Sequence, residues 1–75
     1  MTNKYQAQSL ADLITPKQLA AVRSIGASKN INVESEARRI YHCAPEELNI
    51  KAASLFITYL SAQPRRWITH ADLAA

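Results

Sequence analysis

A chain of 75 residues with 48% hydrophobic content, one Gly and three Pro makes at most one small domain, and that composition excludes general disorder. Nine Lys and Arg against six Asp and Glu leave a net charge of +3, a bias toward anionic partners that falls short of a strong nucleic-acid signature. The single cysteine, Cys43, excludes an internal disulfide and with it a disulfide-stapled secreted miniprotein.

A chain this short buries only roughly 60% of the surface its unfolded form exposes, so the core must be thin. No apolar run approaches the roughly 18 residues that span a bilayer, and the polar start Met1-Thr2-Asn3-Lys4 is unlike a signal peptide, so a cytoplasmic protein without membrane contact is expected. The basic excess lies in residues 1–40, with six basic and three acidic groups; residues 41–75 hold three of each.

Residues 1–13 read either as an N-terminal arm or as a short amphipathic helix carrying Tyr5, Leu10, Leu13 and Ile14. The first firm signal is Ile14-Thr15-Pro16-Lys17-Gln18-Leu19. Thr15 and Gln18 can form a capping box, Pro16 suits the first helical position, and Ile14 with Leu19 can close a hydrophobic staple. Leu19, Val22, Ile25 and Gly26 follow down one face. Gly26 costs about 1 kcal/mol against Ala, so a close helix approach is expected there. The helix should fade at Ser28-Lys29-Asn30, with Lys29 at the negative end of the dipole and Asn30 left-handed.

Asn32 can cap a second helix, with Glu34 and Glu36 in its first turns, Arg38 and Arg39 toward its end, and Val33, Ala37, Ile40 and Tyr41 on its buried face. It should end at His42-Cys43-Ala44, because the residue before Pro45 is disfavoured in the helical region. Pro45-Glu46-Glu47-Leu48 reads as a single turn that delivers Leu48 to the core. Asn49 then caps a third helix over 50–62, packed through Ala52, Ala53, Phe56, Tyr59 and Leu60, with Leu55 or Ile57 widening that face, until Pro64 stops it. Period-two apolar runs and hairpin turns are absent from the sequence, so no strand is expected. Residues 63–75 form a basic and aromatic tail in which Thr69 and Asp72 give a weak capping signal.

The expected fold is therefore an all-α, small three-helix domain over 14–62 with a short helical turn before the last helix. Its expected core is Leu19, Val22, Ile25, Ile40, Leu48, Ala52, Phe56, Tyr59 and Leu60.

Catalytic chemistry is hard to find in these residues. His42 beside Cys43 has no partner at ligand spacing, His70 is isolated, and Glu46-Glu47 suit a helix start better than an acid–base pair. The lone Gly leaves no glycine-rich phosphate loop. No enzyme, metal or cofactor is expected. The basic groups are more informative: Lys17, Arg23 and Lys29 drift around the first helix, whereas Arg38-Arg39 and Arg65-Arg66-Trp67 are compact. In the last of these an aromatic ring could stack on an unpaired base while guanidinium groups meet phosphates. The bland alternative is solvated charge and a Trp folded over a thin core.

The start Thr15-Pro16-Lys17-Gln18 and the later run Glu46-Glu47-Leu48-Asn49-Ile50-Lys51-Ala52-Ala53-Ser54-Leu55-Phe56-Ile57-Thr58-Tyr59-Leu60 resemble a small helical module of phage and bacterial proteins. That module pairs T-P-x-Q with E-E-L-(T/S)-x-x-x-A-S-x-(L/F)-I-x-x-L, often at the C-terminus of phage-type single-strand annealing and other recombination or replication proteins. The match covers roughly residues 14–62, and Asn49 replaces the usual Ser or Thr while keeping a cap. The third helix with its lead-in also resembles, more weakly, helix-extended-loop-helix DNA-binding modules. Annealing activity in such proteins lies in a larger domain outside the module, so the resemblance implies an accessory role, touching nucleic acid or docking a partner. Lys17, Arg23, Arg38, Arg39, Arg65 and Arg66 would then meet phosphates of single-stranded DNA and Trp67 would stack. The rival expectation is a protein-interaction or homo-oligomerising module, which a thin core makes plausible.

Overall fold

In the computed structural model, which describes residues 3–65, Thr15 and Gln18 close their capping box in both directions, each amide donating to the other's side-chain oxygen at 3.1 Å. Helix α1 runs over Pro16–Lys29. It ends in a Schellman motif: Asn30 is left-handed with φ 57°, its N–H donates to the Ala27 carbonyl, and the Ile31 N–H donates to that of Gly26. This turn buries Ile31 and throws the chain back across Gly26. A Cβ on Gly26 would meet the Val33 side chain and lie 3.1 Å from the Ile31 carbonyl oxygen. The glycine thus permits the close approach that its mid-helix position predicts.

Helix α2, Val33–Tyr41, is capped by Asn32, whose Oδ1 accepts from the Ser35 amide at 3.0 Å. It ends for a reason other than the one expected. His42 takes the left-handed conformation, φ 60°, and its N–H donates to the Arg38 carbonyl, so the helix has stopped before the restriction imposed by Pro45 is felt. Pro45–Glu47 form a single 3-10 turn, held where Glu47 Oε1 accepts from the Ala44 amide at 2.9 Å, and Leu48 beyond it is fully buried. Helix α3, Ile50–Ala62, starts with Asn49 Oδ1 accepting from the Ala52 amide at 2.7 Å and stops where Gln63, preceding Pro64, turns extended.

Helices α1 and α3 run parallel. Gln18 Nε2, near the start of α1, reaches the Ile50 carbonyl and Ser54 Oγ near the start of α3, both at 3.2 Å. At the other end Lys29 Nζ donates to the carbonyls of Leu60, Ser61 and Gln63 at 3.0, 2.6 and 2.6 Å. Lys29 therefore caps the C-terminus of α3, whereas its sequence position suggested service to α1 alone.

The fold is all-α, with three helices and no strand among the described residues. Its core joins Ile14, Val22, Ile31, Val33, Ala37, Tyr41, Cys43, Leu48, Ala52, Ala53, Phe56 and Leu60. Four residues expected inside, Leu19, Ile25, Ile40 and Tyr59, are only partly buried at its edge. Their place is taken by side chains from the connections, because short helices leave gaps that Ile14, Ile31 and Cys43 fill. On α3, Ile57 packs against the core whereas Leu55 stays exposed.

Residues 3–13 lie as an arm of turns and bends with one 3-10 turn, Leu10–Asp12. The arm brackets the start of α3 from two sides through isolated antiparallel bridges, Gln6 with Leu48 and Leu13 with Asn49. Three backbone bonds tie it there, Ala7 N–H to the Glu47 carbonyl, Asn49 N–H to that of Tyr5 and Ile14 N–H to that of Leu48, while Gln6 N–H to the Asn3 carbonyl closes a turn within the arm. The Asn3 side-chain amide also donates to the Tyr41 carbonyl. Tyr5 packs edge-on to Tyr41 at 5.0 Å, and Tyr41 packs edge-on to Phe56 at 5.5 Å, so an aromatic chain leads from the arm into the core.

Candidate nucleic-acid interface

Charge on this surface is sorted by the fold into paired and unpaired cations. Arg23, on α1, lies 2.9 Å from a Glu46 oxygen and 3.6 Å from one of Glu34, so it joins α1, α2 and the 3-10 turn. Arg39 bonds Glu36 at 2.8 Å and the Tyr59 hydroxyl at 3.1 Å. Glu36 is itself buried, and its hydrogen bond and charge together hold the Arg39 guanidinium more firmly protonated than usual. A sequence position in the first turn of α2 suggested only a dipole partner for Glu36. Its burial under Arg39 and Tyr59 depends on where α3 passes, and no local pattern reports that.

The side chains of Lys17, Arg38 and Arg65 are exposed and make no ion pair or hydrogen bond within the described residues. Arg66 and Trp67 lie outside the described residues, as do Thr69 and Asp72. Of the seven residues marked in the sequence, the structure thus commits Arg23 and Arg39 to internal partners and leaves Lys17, Arg38 and Arg65 open. It does not gather all three at one site, since Lys17 adjoins Gln18 at one end of the α1–α3 pair and Arg65 follows Gln63 at the other.

A separate group of side chains does converge. Lys4, Tyr5, Asn49, Lys51, Ala52 and Leu55 line an open groove of about 270 Å³ between the arm and the first turns of α3. Its geometry is built by Asn49. The Asn49 Nδ2 donates to the Lys4 carbonyl at 2.9 Å and the Asn49 N–H to the Tyr5 carbonyl at 2.9 Å, while Oδ1 caps α3. Lys51 and Leu55 are four apart on α3 and so share a face. Lys4 Nζ lies 5.1 Å from the centre of the Tyr5 ring, and among the described residues no acidic side chain lines the groove. Sequence reasoning missed this site. Lys51 and Leu55 at helical spacing were a partial signal, but Lys4 and Tyr5 arrive through pairing with residues far along the chain.

The remaining titratable groups offer little chemistry. Cys43 is buried, and burial above all, with some help from Glu47, pushes its thiol upward and away from the reactive thiolate. Burial likewise raises the Tyr41 phenol, with Tyr5 and Tyr59 adding to it. No group of three or more His, Cys, Asp and Glu side chains among the described residues could hold a metal ion. Nor is any helix of the described residues long and apolar enough to cross a membrane.

Fold and surface together define a small basic all-α domain with an arm-bounded groove. Compared with protein families, curated proteins and solved structures, the chain has no match.

Proposed function

We propose that this chain is a small accessory nucleic-acid-binding module that prefers single-stranded DNA and serves recombination or repair in the cytoplasm, with no catalytic role and no cofactor. The observation that supports it best is the surplus of exposed cations without an ion-pair partner among the described residues: Lys4, Lys17, Arg38, Lys51 and Arg65 remain once Arg23 and Arg39 are matched to Glu residues. Such a surface attracts phosphate and releases counterions on binding. The link to recombination rests on the resemblance of residues 14–62 to the annealing-protein module.

A second reading, a protein-docking or self-associating module, is favoured by the exposure of Leu10, Ile50 and Leu55. Salt separates the two, because apolar contact lacks the steep salt dependence of phosphate contact. The test is fluorescence anisotropy of a labelled single-stranded oligonucleotide, with Arg65→Ala/Arg66→Ala measured alongside to assess the tail. If three cations meet phosphate at once, affinity falls about 20-fold over a fourfold rise in salt. Absence of binding at low salt would sink the nucleic-acid reading.

A further inference from the structure

Building on that reading, we infer that the groove between the arm and α3 seats one unpaired base of a single strand, with Lys4 and Lys51 holding the phosphates on either side. Three observations converge on it. The groove floor is apolar, made by Tyr5, Ala52 and Leu55, and Leu55 is 55% exposed although it lies on the helix that supplies Phe56 and Leu60 to the core. An exposed leucine beside a half-buried tyrosine leaves apolar surface that a planar base can cover. The rims are cationic: neither Lys4 nor Lys51 has an acidic partner among the described residues. The occupant must therefore be apolar in its middle and anionic at its edges, as a nucleotide in a single strand is.

The Tyr5 ring is also held in place, which a stacking platform needs. Its edge packs against Tyr41 at 68° between planes, and its backbone is bonded to Asn3 and Asn49. The Lys4 ammonium lies over one face of the ring, 5.1 Å from its centre. A lysine tip is flexible and prefers a phosphate to an aromatic face, so a strand that draws Lys4 outward uncovers the ring for the base. Duplex DNA would not enter, since its bases are stacked and paired. The groove thereby gives a physical reason for single-strand preference, which the scattered surface cations by themselves do not.

The test compares the full chain with Lys4→Gln/Lys51→Gln and with Leu55→Glu, all exposed positions that leave the core untouched, in titrations with a fluorescent thymidine oligonucleotide over a range of salt. The groove predicts about tenfold weaker binding for the lysine pair and a log–log salt slope shallower by about 1.4, the share of two single-strand phosphates. Leu55→Glu should weaken binding comparably, and amide shifts of the parent should concentrate at Tyr5, Asn49, Lys51 and Leu55. If the parent binds the strand while both variants bind equally well, the groove is overturned and single-strand binding by the other cations stands. If the parent binds no strand at low salt, the functional reading and the groove fall together. If instead an acidic, leucine-bearing peptide shifts those same amides and the oligonucleotide does not, the groove belongs to a protein partner and the inference is overturned.

Discussion

Gly26 carries more of this fold than its size suggests. It lies where α1 ends, Ile31 turns back and Val33 opens α2, so an added methyl group meets both a side chain and a backbone oxygen. Alanine would gain about 1 kcal/mol in helix preference, whereas overpacking a buried contact costs about 1–3 kcal/mol. The clash should win, because a carbonyl oxygen cannot turn aside and a β-branched valine has one favoured rotamer in a helix. Gly26→Ala is therefore expected to lower the melting temperature, and the loss should shrink in a Val33→Ala background when the two changes are measured as a double-mutant cycle. Asn30 and His42 are the other backbone specialists, both left-handed at helix ends. Asparagine at such a position was readable in advance, since it adopts that conformation readily; histidine does so less often, and His42 was not read that way.

The parallel placement of α1 and α3 explains the helix ends. With both C-termini at the same side, a lysine on one helix can reach the open carbonyls of the other, and Lys29 donates to three of them. Charge-assisted bonds at a helix C-terminus act with the dipole, so Lys29→Met should cost about 1–2 kcal/mol. Hydrogen exchange should accelerate in the last turn of α3, while Lys17→Met, at an exposed and unpaired position, should leave melting unchanged. Equal melting of the Lys29 variant and the parent would overturn this bridging role. Gln18 ties the opposite end, serving the Thr15 cap and the α3 contact with one side chain.

Across the whole molecule, stability is concentrated around Phe56. The ring is fully buried and stacks or packs edge-on with Tyr41 and Tyr59, and through Tyr41 it connects to the arm. Phe56→Ala should cost about 3–5 kcal/mol, close to the whole stability of so small a domain, about 5 kcal/mol. A circular-dichroism melt should show the variant largely unfolded at moderate temperature, and a parent-like melt would contradict the burial of this face. The same aromatic chain links groove and core: Tyr5 is at once part of the candidate site's floor and a packing partner of Tyr41.

Much of this architecture could be read from the residues, and the physical reason is range. Caps, helix starts and the Pro64 break are decided within about one turn of chain. So Thr15, Asn32 and Asn49 marked their helices in the sequence, and Asn30 marked the end of α1. The apolar periodicity of α3 likewise placed Phe56 and Leu60 inside. What could not be read depends on contacts between residues far apart. The pairing of Arg23 with Glu46, the burial of Glu36, the reach of Lys29 and the docking of the arm against Asn49 all follow from helix placement, which no local pattern encodes. The groove belongs to this second group. Its walls come from the arm and α3, and they meet only after loop closure has brought residues 4 and 5 to the start of α3.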